Sequence, residues 1–455
     1  MRWKLFEETE KEPEVVSFCG LFAVLFIIAL VVANSIGLAD WLEKKATLVT
    51  IAFQGVLVPL IIALTASFIL YIGECCRIHV FQMRQLRRNE NNYRVTAYSR
   101  RQMTLIAWHS LAPVEHIALK MLKLEGSMPL APETPLEIDS EEGYDAPRLE
   151  IILRKLVEPL KEKLNEPYVF DVSVWVRGQE ADYDDSVRNA LKAAGIKTAN
   201  VTAVHVLEKC PGYSFIEKWI NTLHQRNHSF HLLLIADLHG EDKKAFMESA
   251  SAFLFGYYSD RAEKPLFISM PLTQSEDLET AAAAFIRTKC ITSAKVFWHT
   301  GLERKEKYPL YEVLNQEKTA PERRDLDTTF GQCSDGYRWL ALTLAADAAL
   351  YAQGPQLVAA SGSNEFGLLS LAGSYYTPPD PPQAWLPLPI FHTVLSTIMM
   401  LVTIMAADIA YSTAKEPIIS FTTCMVITCL TGLITGSIAW LAIIMGRDES
   451  HDSTL

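Results

Sequence analysis

Four long runs of the chain carry no charge, and they restrict what it can become. Val15–Ala39, Ala46–Ile72, Leu388–Ala407 and Ile418–Met445 contain no Asp, Glu, Lys or Arg. A bilayer core of ~30 Å needs about 20 apolar helical residues, so each run is long enough to span. One such run could be the buried helix of a soluble domain. Four, paired at the two ends of a 455-residue chain, predict two transmembrane hairpins. The leader before the first run carries five acidic and three basic residues, and the run is about twice the length of a signal-peptide core. It reads as a retained anchor.

The flanking charges orient these spans. Cytoplasmic flanks collect Lys and Arg within about 15–20 residues of a span. One side holds Arg2, Lys4, Lys11, Arg77, Arg84, Arg87, Arg88 and Arg447; the other holds Lys44, Lys45 and Lys415. The expectation is a multi-pass protein of a bacterial inner membrane, with both termini and the central domain in the cytoplasm. Arg77, Arg84, Arg87 and Arg88 would then lie at the membrane surface, against anionic lipid. Gly432 and Gly436 form a G-x-x-x-G that lets helix backbones approach closely. They are candidates for helix packing or for a homodimer face.

The chain divides accordingly into an N-terminal transmembrane hairpin (1–73), a basic and helical connector (74–166), an α/β domain (167–373), a Pro-rich linker (374–387) and a C-terminal hairpin with a short tail (388–455). In the connector, "SRRQMTLIAWHSLAPVEHIALKMLKL" reads as helical. From Pro167 onward strands and helices alternate. "YVFDVSVWV", "NVTAVHVL", "HLLLIADL", "PLFISMPL" and "SAKVFWHTG" read as strands, while "DDSVRNALKAAGI", "SFIEKWINTLHQ" and "EDKKAFMESASAFLFG" read as helices. That alternation predicts a layered α/β domain with a mostly parallel sheet.

Chemical motifs are sparse. No P-loop, G-x-G-x-x-G, G-x-S-x-G or metal-ligand spacing occurs, so neither a cofactor nor a metal is expected. The eight cysteines include no C-x-x-C pair, which fits reduced thiols. With a net charge of −11 and a pI near 5.6, a nucleic-acid surface is not expected.

Residues Val169–Ala372 nevertheless resemble the thiolase-like fold of condensing enzymes such as β-ketoacyl synthases. In "CPGYSFIEKWINTLHQRNHSFHLLLIADLHG", Cys210 stands before a helix where that family places its nucleophile, and "ESASAFLFG" matches its small-residue stretch. "VFWHTG" supplies His299, Thr300 and Gly301, one residue short of the family's H-x-T-G. In "FGQCSDGYRWLALTLAADAAL", Gln332 stands where the family has His. The resemblance implies a thiol that accepts an acyl chain and two donors near the thioester oxygen. Gln332 can donate a hydrogen bond but cannot act as a general acid or base. The expectation is therefore a degenerate, non-catalytic domain, with Cys210, His299 and Gln332 at the residual site. The layout also resembles membrane proteins encoded beside type VI secretion effectors. That implies an adapter or immunity factor whose partner is a secreted effector or a secretion component. The alternative is a membrane-anchored acyl-condensing or acyl-transfer enzyme with a cysteine nucleophile.

Overall fold

The structure, a computed structural model, describes residues 3–6, 13–14, 16–43, 48–126, 136–139, 147–166, 169–177, 183–223, 230–240, 246–256, 265–274, 276–288, 294–316, 320–331, 334–351, 353–362, 365–381, 394–405, 426 and 430. The chain forms two compact units. One is Met1–Leu5 with Tyr93–Asp380, the other Phe6–Asn92 with Pro381–Leu455.

The second unit is built on helices. Phe18–Glu43 is apolar on all sides, and Ile27, Val31 and Ile36 are 62%, 57% and 74% exposed. The next apolar run forms Leu48–Ala52, a π-helical turn Phe53–Leu57, and a 42-residue helix, Val58–Ser99. Two helices here are long and apolar enough to cross a membrane. Asn34, a polar intrusion in the first, donates its amide to Leu30 O (2.7 Å) and Gly55 O (3.2 Å). The basic stretch continues the Val58–Ser99 helix, where Arg77, Arg84 and Arg88 share one face. Arg77 is paired with Glu74 at 2.7 Å. Of the two C-terminal uncharged runs, the helical piece Val394–Met405 is described. Gly432 and Gly436 lie outside the described residues.

The first unit is an α/β domain on a ten-stranded sheet of order β3-β2-β4-β5-β1-β6-β10-β9-β7-β8. The strands are β1 (Gln102–Leu111), β2 (Phe170–Val176), β3 (Val201–Val206), β4 (Phe230–Asp237), β5 (Ser249–Gly256), β6 (Leu266–Ser269), β7 (Val296–Thr300), β8 (Glu322–Asp325), β9 (Gln356–Gly362) and β10 (Glu365–Ala372). The order hides a duplication. Numbered within each half, β1–β5 and β6–β10 both run 3-2-4-5-1, and the halves meet where β1 pairs antiparallel with β6. In each half the fifth strand opposes its neighbours, β5 against β4 and β1, β10 against β9 and β6. The helices also correspond. Asp184–Ala193 and Arg304–Gln316 follow the second strand of their halves; Ser214–Leu223 and Tyr337–Leu350 follow the third.

The mostly parallel sheet expected from the sequence is corrected to a mixed one. Four of the nine pairings among the described strands are parallel (β2–β3, β2–β4, β7–β8, β7–β9) and five are antiparallel. Among the described residues no crossover helix lies between the fourth and fifth strands of each half, and the chain returns antiparallel. Two segments read as helical are strands. "SASAFLFG" is β5, buried at all eight positions. A strand covered on both faces shows no alternation, and its run of Ala and Ser carries little β signal. "QMTLIAWHSL" is β1, paired with β5 and β6 at the centre of the sheet. It too is an apolar run that periodicity alone does not resolve.

Each half-sheet is covered on both faces. Val172, Val174, Leu232 and Leu234 enter one core with helices Arg148–Val157 and Asp184–Ala193. Trp175, Leu233 and Ile235 enter the other. Tyr337–Leu350 lies inside that second core with eleven buried residues, as expected of a helix apolar on all sides. Trp3 from the N-terminal segment packs its ring on Tyr98 and Phe285, with centroids at 5.9 and 5.4 Å.

Candidate active site at the junction of the halves

Ligands of parallel α/β sheets gather beyond the carboxyl ends of the strands, and a polar cluster lies there. β2 ends at Val176 and delivers Arg177; β4 ends at Asp237. From the other half come Ser334, Asp335 and Gly336 ahead of the buried helix, Arg338 in its first turn, and Gly362 at the end of β9. Arg177 Nε lies 2.7 Å from Asp237 Oδ1, and Nη2 lies 3.1 Å from Asp335 Oδ2. Asp237 is fully buried. Its Oδ2 accepts from Ser334 Oγ at 2.5 Å and from Gly336 N at 2.7 Å. Burial pushes its carboxyl above the usual range, against the pull of Arg177. Two glycines permit the packing. A Cβ on Gly336 would sit 2.5 Å from Asp237 Cβ, and one on Gly362 would sit 2.6 Å from Arg338 Nη2.

Cys210 enters this cluster from the loop before Ser214–Leu223. Its buried Sγ lies 3.4 Å from Asp335 O, to which the thiol donates. Two further bonds clamp the loop across the junction: Tyr213 OH to Arg338 O (2.7 Å) and Trp339 Nε1 to Pro211 O (2.8 Å). Burial pushes the thiol pKa up, and the charge of Arg338 opposes that rise. Arg338 is 3% exposed, yet its Nη2 makes no hydrogen bond among the described residues. A buried guanidinium nitrogen without an acceptor is costly, so an unspent donor beside a buried thiol points to a ligand oxygen.

His299 belongs to a second cluster, at the carboxyl ends of β7 and β8. Its Nε2 is 2.7 Å from Tyr311 OH, and its Nδ1 is 3.8 Å from Asp325 Oδ1. Thr300 Oγ1 and Gly301 N both donate to Asp327, at 2.6 and 2.7 Å. Among the described residues Cys210 bonds to Asp335, and His299 contacts Tyr311 and Asp325, with no partner in common. Gln332 lies outside the described residues. Burial lowers His299 to about 4, against the pull of Asp325. An unfolded imidazole titrates near ~6.5. The folded state thus binds the proton less well, and stability is lost as pH falls from ~6.5 through about 4. His299→Gln should flatten that part of a stability–pH profile recorded by denaturant unfolding. An unchanged acid limb would show that another group controls it.

Arg177, Asp237 and Arg338 were not singled out from the sequence, although each leaves a trace there. "DVSVWVR" and "HLLLIAD" are apolar strands that end abruptly in a charge, and Arg338 is the one basic residue in "YRWLALTLAADAAL".

No family model matches the chain, and no curated protein matches it. Solved structures do. The 3-oxoacyl-[acyl-carrier-protein] synthase III of Aquifex aeolicus VF5 is 12% identical, covering 59% of this chain and 99% of its own, with a TM-score of 0.39. The ketosynthase from module 6 of the bacillaene synthase of Bacillus subtilis 168 is 10% identical over 61% of this chain and 71% of its own, with a TM-score of 0.43. Xanthomonas OleA is 9% identical over 60% and 97%, with a TM-score of 0.36. TM-scores of this size leave the fold resting on its own strand order. The expectation of a non-catalytic secretion adapter or immunity factor is corrected: the structures matched are those of condensing enzymes.

Proposed function

We propose that this protein is a membrane-anchored acyl-transfer enzyme with a thiolase-like domain, in which Cys210 takes an acyl group from a thioester. The observation that carries this reading is the buried Arg338 Nη2, without a hydrogen bond among the described residues, near the buried Cys210 thiol. Sγ adds to the thioester carbonyl carbon, and the electron pair moves to the carbonyl oxygen, toward Arg338. Collapse expels the carrier thiolate, which leaves with the proton that Cys210 gave up. The products are acylated Cys210 and a free carrier thiol. The step needs no metal or redox cofactor to balance.

The reading stops at acyl transfer. Decarboxylative condensation asks for further donors at the thioester, and among the described residues His299 is engaged with Tyr311 and Asp325. For location, the proposal is a bacterial inner membrane with the α/β domain on the cytoplasmic side, supported by the eight-to-three distribution of flanking basic residues. The packing of Trp3 into the α/β unit agrees with an even number of spans between the N-terminus and that domain.

The test is thiol release from a long-chain acyl thioester by the full chain in detergent. Wild type should release thiol faster than the spontaneous background, and Cys210→Ala should return to background. Equal release by the two proteins would exclude Cys210 as the nucleophile.

A further inference from the structure

A cavity of about 480 Å³ elsewhere in the α/β unit is lined by Lys120, Lys123, Arg323, Arg324, Asp325 and Thr328, with Met121, Gly126 and Thr329 completing its wall. Four cations and one carboxylate face this space, in a chain whose net charge is −11. The carboxylate is already engaged: Asp325 Oδ2 takes Lys307 Nζ at 2.8 Å, and Oδ1 takes Asp327 N at 3.1 Å. Arg324 Nη2 pairs with Glu322 at 2.6 Å, but its buried Nε makes no hydrogen bond among the described residues. Arg323 lies 3.9 Å above the Tyr311 ring and donates to Asn315, which fixes its guanidinium plane. Lys120 and Lys123 form no ion pair among the described residues. Lys123 also holds a positive φ of 59°, a backbone state that costs energy in a residue with a side chain.

We infer that this cavity binds a soluble small molecule bearing a diphosphate or two phosphate groups. Guanidinium pairs match phosphate oxygens bidentately, and lysines add point charge. The volume falls within the ~300–1,000 Å³ of small-molecule sites, room enough for an organic body beyond the phosphates. Excess positive charge in a partly enclosed space also concentrates anions. The inference does not rest on Cys210, whose cluster shares none of the lining residues.

The test is calorimetric titration of the full chain in detergent with inorganic pyrophosphate, ADP and dioctanoyl phosphatidic acid. Pyrophosphate and ADP should each saturate one site. Lys120→Gln with Lys123→Gln should weaken both at least 10-fold, as should Arg324→Gln, while Lys305→Gln, an exposed lysine outside the cavity, should leave them unchanged. Absence of saturable binding overturns the inference, and so does undiminished binding by the double lysine variant, whose side chains are not part of the core. Phosphatidic acid bound tighter than ADP would place a lipid headgroup there and overturn the assignment to a soluble ligand.

Discussion

Arg338→Met should slow acylation of Cys210 by about 10²–10³-fold, the usual effect of removing one oxyanion donor. Two contributions act in the same direction. The donor left unspent in the free protein is lost, and the thiol pKa, already pushed up by burial, loses the charge that opposes it. The side chain is replaced by one of similar length, so the buried helix keeps its packing beside Tyr213 and Trp339. Arg338→Lys should recover only part of the rate, because a lysine cannot present the planar fork of a guanidinium. The readout is the single-turnover rate of acyl-adduct formation, with the near-ultraviolet circular dichroism of each variant checked for native packing. Full activity in a folded Arg338→Met protein would remove Arg338 from the mechanism.

Asp237→Ala should destabilise the α/β domain by about 3–5 kcal/mol, the range for removing one member of a buried ion pair. The loss has three parts. Arg177 loses its 2.7 Å partner, and both Ser334 Oγ and Gly336 N lose their acceptor. The turn ahead of the Tyr337–Leu350 helix is tied down by this one carboxylate, so the damage should reach the Cys210 loop as well. Gly336→Ala should produce a similar loss by a different route, since its Cβ would press on Asp237. Urea unfolding of the full chain in detergent, followed by tryptophan fluorescence, measures both. A midpoint for Asp237→Ala within error of wild type would mean that the cluster is not a structural keystone.

How much of this was legible in the sequence follows from what each segment faces. β2, β4 and β7 are compact apolar runs rich in β-branched and aromatic residues, bounded by polar turns, and their strands stand where the sequence put them. The helices Asp184–Ala193 and Ser214–Leu223 are amphipathic and were equally plain. β5 was misread because a strand buried at every position lacks the alternation that marks a strand, and β1 because its apolar run does not alternate cleanly. With those two strands missing, the duplication stayed hidden, and the sheet was expected to be mostly parallel. The corresponding loops are still visible in hindsight. Cys210 stands four residues before Ser214 at the start of one helix, and Cys333 four residues before Tyr337 at the start of the other. Cys210 itself was found from the order of short motifs. Its partners were not, because Arg177, Asp237 and Arg338 sit between 27 and 128 residues from it and converge only in the folded sheet.

Peptide mapping after a long-chain acyl thioester is mixed with the full chain tests the enzyme reading most directly. One acyl group should be found per protein, on the peptide carrying Cys210, with labelling accelerating as pH rises because the buried thiol is held protonated. Acyl groups spread over several cysteines, or a Cys210 peptide that stays unmodified while the thioester persists, would contradict it.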